Sequence, residues 1–471
     1  MRFSGVLNRK RIVIGILAFV VVGSLFAVFL TQRFHDVQTP VVTHPHPTVN
    51  PRDVNVVVDY SASSQKLDPL AIGMDVSGFY YPNSFANDRL EQQRLKALGL
   101  KYIRMDLRYS TPGDITSKII CAENGCDDRW TGDQWIRAIK GIGAEPVVIV
   151  PYSSVDAAGL VRHFNKNGYN PIRYWIIGNE PDLNGVSVDT YSENFKQDYD
   201  AMKAVDPRIK IGGGVTAWYN REFLQAFLQR AGSRVDFVDF HGYPQQGNFD
   251  GNYTTLFQYA AAYGSKVRDL RSLIQAVVPA RSSQIGIEVG EYELNWGGSA
   301  QDDTNFHALW TASALGNILS AGGYALFYAD KGNALYGSPH TITDPAGHTV
   351  AVKLDDTNAA YHGIGMFTGE GLFRGFGNTM VNTTTTLPDV DVFASDHEKN
   401  IVVINKSPVH AQSAVISLRG VSSGTVVVWR KDNSVPFSYP PVKVGTLTIE
   451  DGYFVYPLTP FSATTFVLSN S

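Results

Sequence analysis

Two stretches of the chain run apolar and then turn acidic at once. Tyr174-Trp175-Ile176-Ile177-Gly178-Asn179-Glu180-Pro181-Asp182 is the first, and Gln284-Ile285-Gly286-Ile287-Glu288-Val289-Gly290-Glu291-Tyr292-Glu293 the second. A strand buried on both faces reads this way when it ends at a working surface. In parallel α/β sheets that surface lies at the carboxyl ends of the strands, and Pro181 stops ladder bonding just beyond Glu180. Two carboxyl groups facing each other, one protonated and one ionised, are the equipment for splitting a glycosidic bond. A separation of about 5–5.5 Å makes the reaction retaining, and about 6.5–9.5 Å makes it inverting. A plain strand exit with a solvated glutamate explains one such end, but not two in equivalent places.

The elements that would hold these carboxylates form a regular beat of apolar strand and amphipathic helix. Strands are expected at Ala71–Val76, Tyr102–Leu107, Pro146–Pro151, Tyr174–Gly178, Ile209–Val215, Val235–His241, Ile285–Glu291 and Tyr324–Tyr328. Between them, Tyr191, Phe195, Tyr199 and Met202 form one core-facing stripe, and Phe223, Leu224, Phe227 and Leu228 another. Gly99, Gly143 and Gly168 stand where helices should stop. Eight alternating units predict an α/β protein built on a (β/α)8 TIM barrel, here residues 67–376. No Gly-x-Gly-x-x-Gly follows the first strand, and Gly212-Gly213-Gly214 comes too late for a dinucleotide site. After Phe376 short alternating strands separated by turns predict an accessory all-β sandwich over 377–471, which a strand within 53–66 is placed to join.

Hydrophobic content of 44% and charged content of 18% are those of a globular protein. The net charge is −4, and the basic residues Arg2, Arg9, Lys10 and Arg11 all precede an uncharged run, so the body is more acidic still. Such a balance excludes a phosphate-backbone reader, and no nucleic-acid partner is expected. Ile12 to Leu30 is long enough to cross a bilayer. The basic cluster before it places the N-terminus in the cytoplasm and the rest outside. Residues 1–30 therefore read as a basic tip and signal-anchor transmembrane helix, with membrane attachment and an extracytoplasmic body, or a secreted one if the segment is cleaved. Residues 31–52 are a Pro-rich linker. Cys121 and Cys126, separated by a turn-forming insert, are expected to form a small disulfide in that compartment.

On these residues the chain resembles the clan A retaining glycoside hydrolases, and by layout their β-xylosidase/α-L-iduronidase and β-glucuronidase/heparanase groups. Gly178-Asn179-Glu180-Pro181 is similar to the clan's acid/base motif on the fourth strand, and Gly290-Glu291-Tyr292 to its nucleophile on the seventh. The resemblance implies Glu180 and Glu291 as catalytic residues. It implies substrate or nucleophile contacts for Asn179, for Arg104 on the second strand, and for His241 and Tyr243 of His-Gly-Tyr on the sixth. Trp296 and Tyr328, at or beyond strand ends, are candidates for stacking on sugar rings, as is Trp218. Simple alternation puts Glu288 on the face opposite Glu291 and Glu293. Glu291 is taken as the nucleophile, with Glu288 and Glu293 as the other possibilities. The implied activity is retaining hydrolysis of a carbohydrate by a two-glutamate double displacement, with no metal or organic cofactor. A non-hydrolytic carbohydrate-binding protein and a transglycosylase are the competing readings.

Overall fold

Eight short runs rich in Val, Ile and aromatic residues close into one parallel barrel. The computed structural model describes residues 54–469 apart from 63–64, 77–84, 112, 114–119, 123–130, 153, 169, 246–251 and 300. Its barrel strands are β1 (Ile72–Asp75), β2 (Tyr102–Tyr109), β3 (Glu145–Val150), β4 (Tyr174–Ile177), β5 (Lys210–Thr216), β6 (Phe237–Gly242), β7 (Gly286–Tyr292) and β8 (Tyr324–Tyr328). Each pairs in parallel with the next, and β8 returns to β1 through Ala325↔Ile72. The helices after successive strands are α1 (Arg89–Ala97), α2 (Gly132–Gly141), α3 (Ser154–Arg162), α4 (Val188–Val205), α5 (Arg221–Ala231), α6 (Tyr253–Val277), α7 (Asn305–Ser320) and α8 (Ala359–Thr368).

The expected helix stripes are packing. Tyr191, Phe195, Met202, Leu224, Phe227 and Leu228 are buried in the layer between helices and barrel. Gly99 and Gly143 follow α1 and α2 at φ +78° and +85°, the left-handed stop that glycine adopts without a Cβ penalty. Inside the barrel, Tyr102, Val147, Ile149, Ile176, Val215, Phe237 and Leu326 form a separate apolar plug, so the barrel is a filled core and its chemistry is confined to the rim.

The C-terminal strands form a sandwich-like 10-stranded sheet. Val54–Asp59 lies within it, antiparallel to Thr379–Thr385 and parallel to Gln412–Arg419. Further strands go beyond the expected ones. Thr379–Thr385 is a full strand, and a hairpin of His340–Thr343 with Thr349–Val352 follows β8. The sheet docks on the barrel through side chains that leave no room for alternatives. Phe461 stacks among Tyr253, Phe257 and Phe306, and Phe393 fills the space over Gly316 of α7, where a Cβ would lie 2.3 Å from its ring.

Among the described residues no helix is long and apolar enough to cross a membrane. The expected span at 12–30 and the linker at 31–52 lie outside the described residues. Cys121, on the short strand Ile120–Ala122 beside the end of β2, carries no free thiol, while Cys126 lies outside the described residues.

Candidate active site at the strand ends

The exit of β4 is shaped by close packing. Gly178 sits at φ +73° with the Tyr152 ring where a Cβ would be, 2.1 Å away. Its N–H bonds Val150 O at 2.8 Å, the last rung towards β3. Glu180 then adopts φ +46°, a left-handed conformation that a glutamate takes only when its surroundings impose it. Three contacts do so. Its N–H donates to Val215 O at 2.9 Å, and its carbonyl accepts from the Asn184 backbone N–H at 3.0 Å and from Asn184 Nδ2 at 2.9 Å. Asp182 ties the same loop to the one after β5 by accepting from Ala217 N and Asn220 Nδ2.

Opposite, β7 does not keep simple alternation. Its register with β6 runs Glu288↔Asp239 and Val289↔Phe240, then Glu291↔His241, so Gly290 is an extra, bulged residue. Glu288 and Glu291 therefore share the barrel interior, and the expectation that they face opposite sides is overturned. Glu288 is buried among Tyr102, Asp239, Arg104 and Asp75, where burial first and the Asp239 charge second raise its carboxyl well above the usual range. Glu293 turns outward instead, pairs with His307 of α7 and accepts the Asn295 N–H at 2.5 Å.

The two carboxylates of interest meet over His241. Single ligating atoms of Glu180, His241 and Glu291 all lie within 4.8 Å of one another. His241 is fully buried, with Nδ1 2.9 Å from Glu180 Oε1 and 3.4 Å from Glu291 Oε2. Burial would strip its proton, but the Glu291 charge and the Glu180 bond outweigh that and raise its pKa. Arg104 bonds Glu291 Oε1 at 2.5 Å and Asn179 Oδ1 at 2.7 Å, faces His241 Nε2 at 3.2 Å, and is braced from behind by Asp75. Tyr243 donates its hydroxyl to Glu291 Oε2. Burial pushes the Glu291 carboxyl up, yet His241, Arg104 and the bonds from Tyr243 and Arg104 prevail and hold it below the usual glutamate range. Glu291 is thus held as a buried anion, while the Glu180 side chain keeps 19% exposure.

Glu180, Glu291, Asn179, Arg104, His241 and Tyr243 accordingly form one connected cluster. Tyr328, at the end of β8, stands edge-on to Tyr243 with ring centroids 5.7 Å apart. Trp296 and Trp218 lie in the loops after β7 and β5, half exposed, on the same rim. Asp75 and Asp239 behind the cluster, and Tyr152 and Asn184 at the β4 exit, are not among the residues marked from sequence. Asp75 and Asp239 did leave a signal, as acids inside otherwise apolar runs.

The Glu180–His241–Glu291 triangle has the donor types of a metal site. Both Glu291 oxygens are already engaged, one by the Arg104 cation, so an added metal ion would meet positive charge. Asp88, Glu91 and Asp355 form a second acidic group. The Lys331 ammonium occupies its centre at 2.9, 2.9 and 3.1 Å.

Residues 156–324, from α3 to the first residue of β8, match Glycosyl hydrolases family 39. That match covers about a third of the chain and lies within the barrel, so this segment is similar to glycosyl hydrolase family 39. This segment includes Glu180, His241, Tyr243, Glu291 and Trp296, while Arg104 and Tyr328 flank it. A β-xylosidase of Geobacillus stearothermophilus is 25% identical over 209 residues, which are 41% of this chain and 40% of that protein. A β-xylosidase of Caldicellulosiruptor saccharolyticus is 32% identical over 95 residues, 18% of this chain and 19% of the relative. The chain thus spans less than half the length of these relatives. Solved structures match more broadly at lower identity. An α-L-arabinofuranosidase of Thermotoga maritima is 17% identical, covers 88% of this chain and 100% of its own, and has a TM-score of 0.66. A Paenibacillus polymyxa xyloglucanase is 14% identical with the same coverages and a TM-score of 0.67. At such identities the likeness is one of fold.

Proposed function

We propose that this chain is a retaining O-glycoside hydrolase in which Glu180 is the acid/base and Glu291 the nucleophile. The observation that carries this reading is the approach of the two carboxylates, with single oxygens within 4.8 Å of each other and both against His241, which supports the closer, retaining arrangement. The environments also diverge as the two roles require: Glu291 is buried and held ionised by His241, Arg104 and Tyr243, and the Glu180 side chain keeps 19% exposure.

In the first step Glu180 gives its proton to the glycosidic oxygen as the bond to the anomeric carbon breaks. Its electron pair leaves with that oxygen, and Glu291 bonds the carbon as an ester. In the second step Glu180 takes a proton from water, the hydroxide adds to the anomeric carbon, and the ester electrons return to Glu291. Arg104 and Tyr243 stabilise the charge of Glu291 before attack and after release. Asn179, its carbonyl oxygen held by Arg104, presents its amide hydrogens to a sugar hydroxyl. Trp296, Tyr328 and Trp218 supply stacking surfaces around the cleft. The two named relatives support a β-linked xyloside as the first substrate to test.

The surrounding assignments belong to the same proposal: a membrane anchor at 12–30, an extracytoplasmic body and a Cys121–Cys126 bridge. The basic cluster before the apolar run and the absence of a free thiol at Cys121 support them. Aryl glycosides and xylan-type polysaccharides assayed with the full chain test the activity. Turnover of a β-xyloside or a related pentoside is expected, and binding without turnover of any substrate would turn the reading into that of a carbohydrate-binding protein.

A further inference from the structure

We propose that Asp239 is a positioning residue that creates the β7 bulge and so turns Glu291 towards Glu180. The inference rests on Glu291 as the nucleophile. Asp239 lies on β6, fully buried, with no sugar-facing position of its own. Its Oδ1 accepts the Gly290 N–H at 2.8 Å. That N–H belongs to the extra residue of β7, which the β6 register skips, so a side chain takes the place of the missing ladder partner. The contact is close on both sides. A Cβ on residue 290 would lie 2.4 Å from each Asp239 carboxylate oxygen, which makes glycine the residue the arrangement accepts.

The consequence is geometric. With Glu288 inward, regular alternation would carry Glu291 out to the helices. The extra residue resets the phase, and Glu291 reaches Arg104, Tyr243 and His241 instead. Asp239 thus sets which face of the strand the nucleophile occupies, without touching substrate. Its own carboxylate is surrounded by His241, whose Nε2 is 3.9 Å from Oδ2, by Arg104 from β2, by Glu288 and Glu291 from β7, and by Tyr191 from α4.

The test is steady-state kinetics on an aryl glycoside with thermal melts alongside. Asp239→Ala should lower kcat about 10- to 100-fold with KM little changed, the size of effect that a displacement of about 1 Å produces. Asp239→Asn keeps an oxygen acceptor for Gly290 and should recover most of that loss. Gly290→Ala should resemble Asp239→Ala, and the double variant should be no worse than either single change, because both undo one contact. If Asp239→Ala does not fold, the Asn variant and Gly290→Ala still decide the matter. An active wild type with unaffected Asp239→Ala and Gly290→Ala variants, or additive losses in the double variant, overturns this assignment alone. A wild type inactive on every glycoside overturns the glycosidase reading and this inference with it.

Discussion

At the scale of single residues, the proposed mechanism gives different jobs to two glutamates that the sequence presents almost alike. Glu180→Gln should slow hydrolysis of an alkyl glycoside about 10²- to 10⁴-fold, the usual contribution of a general acid. An acidic phenol leaving group needs little proton donation, so the same variant should lose far less in the first step on a nitrophenyl glycoside. Equal losses on both substrates, read as kcat/KM, would count against Glu180 as the acid. Arg104 is a permanent cation bonded to Glu291 and, with His241, lowers its pKa, so Arg104→Gln should lower kcat and also move the acidic limb of the kcat/KM profile to higher pH. The sign follows from the linkage: the nucleophile must be ionised, Glu291 lies below the usual glutamate range in the wild type, and losing the cation lets burial raise it. An acidic limb that stays put in Arg104→Gln would show that Arg104 does not set the charge of Glu291.

At the scale of elements, the eight barrel strands were legible because most are largely apolar runs bounded by turns, as strands buried on both faces are. Thr379–Thr385 was not, since a run of threonines beside Gly-rich sequence carries no hydrophobic alternation; its partners on either side make it a strand. The face occupied by Glu288 was misread for a comparable reason. Alternation is a local rule, and the Gly290 bulge depends on Asp239 about fifty residues away in the chain. The β4 exit shows the same dependence on neighbours. Gly178→Ala would press a Cβ into the Tyr152 ring at a left-handed φ, and should cost roughly 1–3 kcal/mol of stability, as strained backbone positions do. A chemical-denaturation midpoint equal to wild type would remove this packing from the account.

At the scale of the whole molecule, the barrel rim and the sandwich are joined by packing that the sequence hints at only through composition. The sandwich contacts fall on α6, α7 and α8, where Phe461 and Phe393 are inserted, so the sheet braces the helices that follow β6, β7 and β8. Beneath that contact His307 of α7 is buried against Glu293. Burial opposes its charge, but Glu293 prevails and pushes the His307 pKa from 6.5 up to about 9. A raised folded-state value stabilises fully below 6.5 and is lost as pH rises through about 9. The wild type should therefore melt progressively lower across that window relative to His307→Gln, a difference that a pair of pH-dependent melting curves reads directly. Parallel curves would mean the pair is neutral in the fold.

The central claim is double displacement through Glu180 and Glu291, and the anomeric configuration of the first-formed sugar tests it most directly. Proton NMR during hydrolysis of an aryl β-xyloside should show the β-anomer appearing first, with the α-anomer growing in only by mutarotation. First appearance of the α-anomer would mean that water attacks in a single inverting step, and that Glu291 is not the nucleophile.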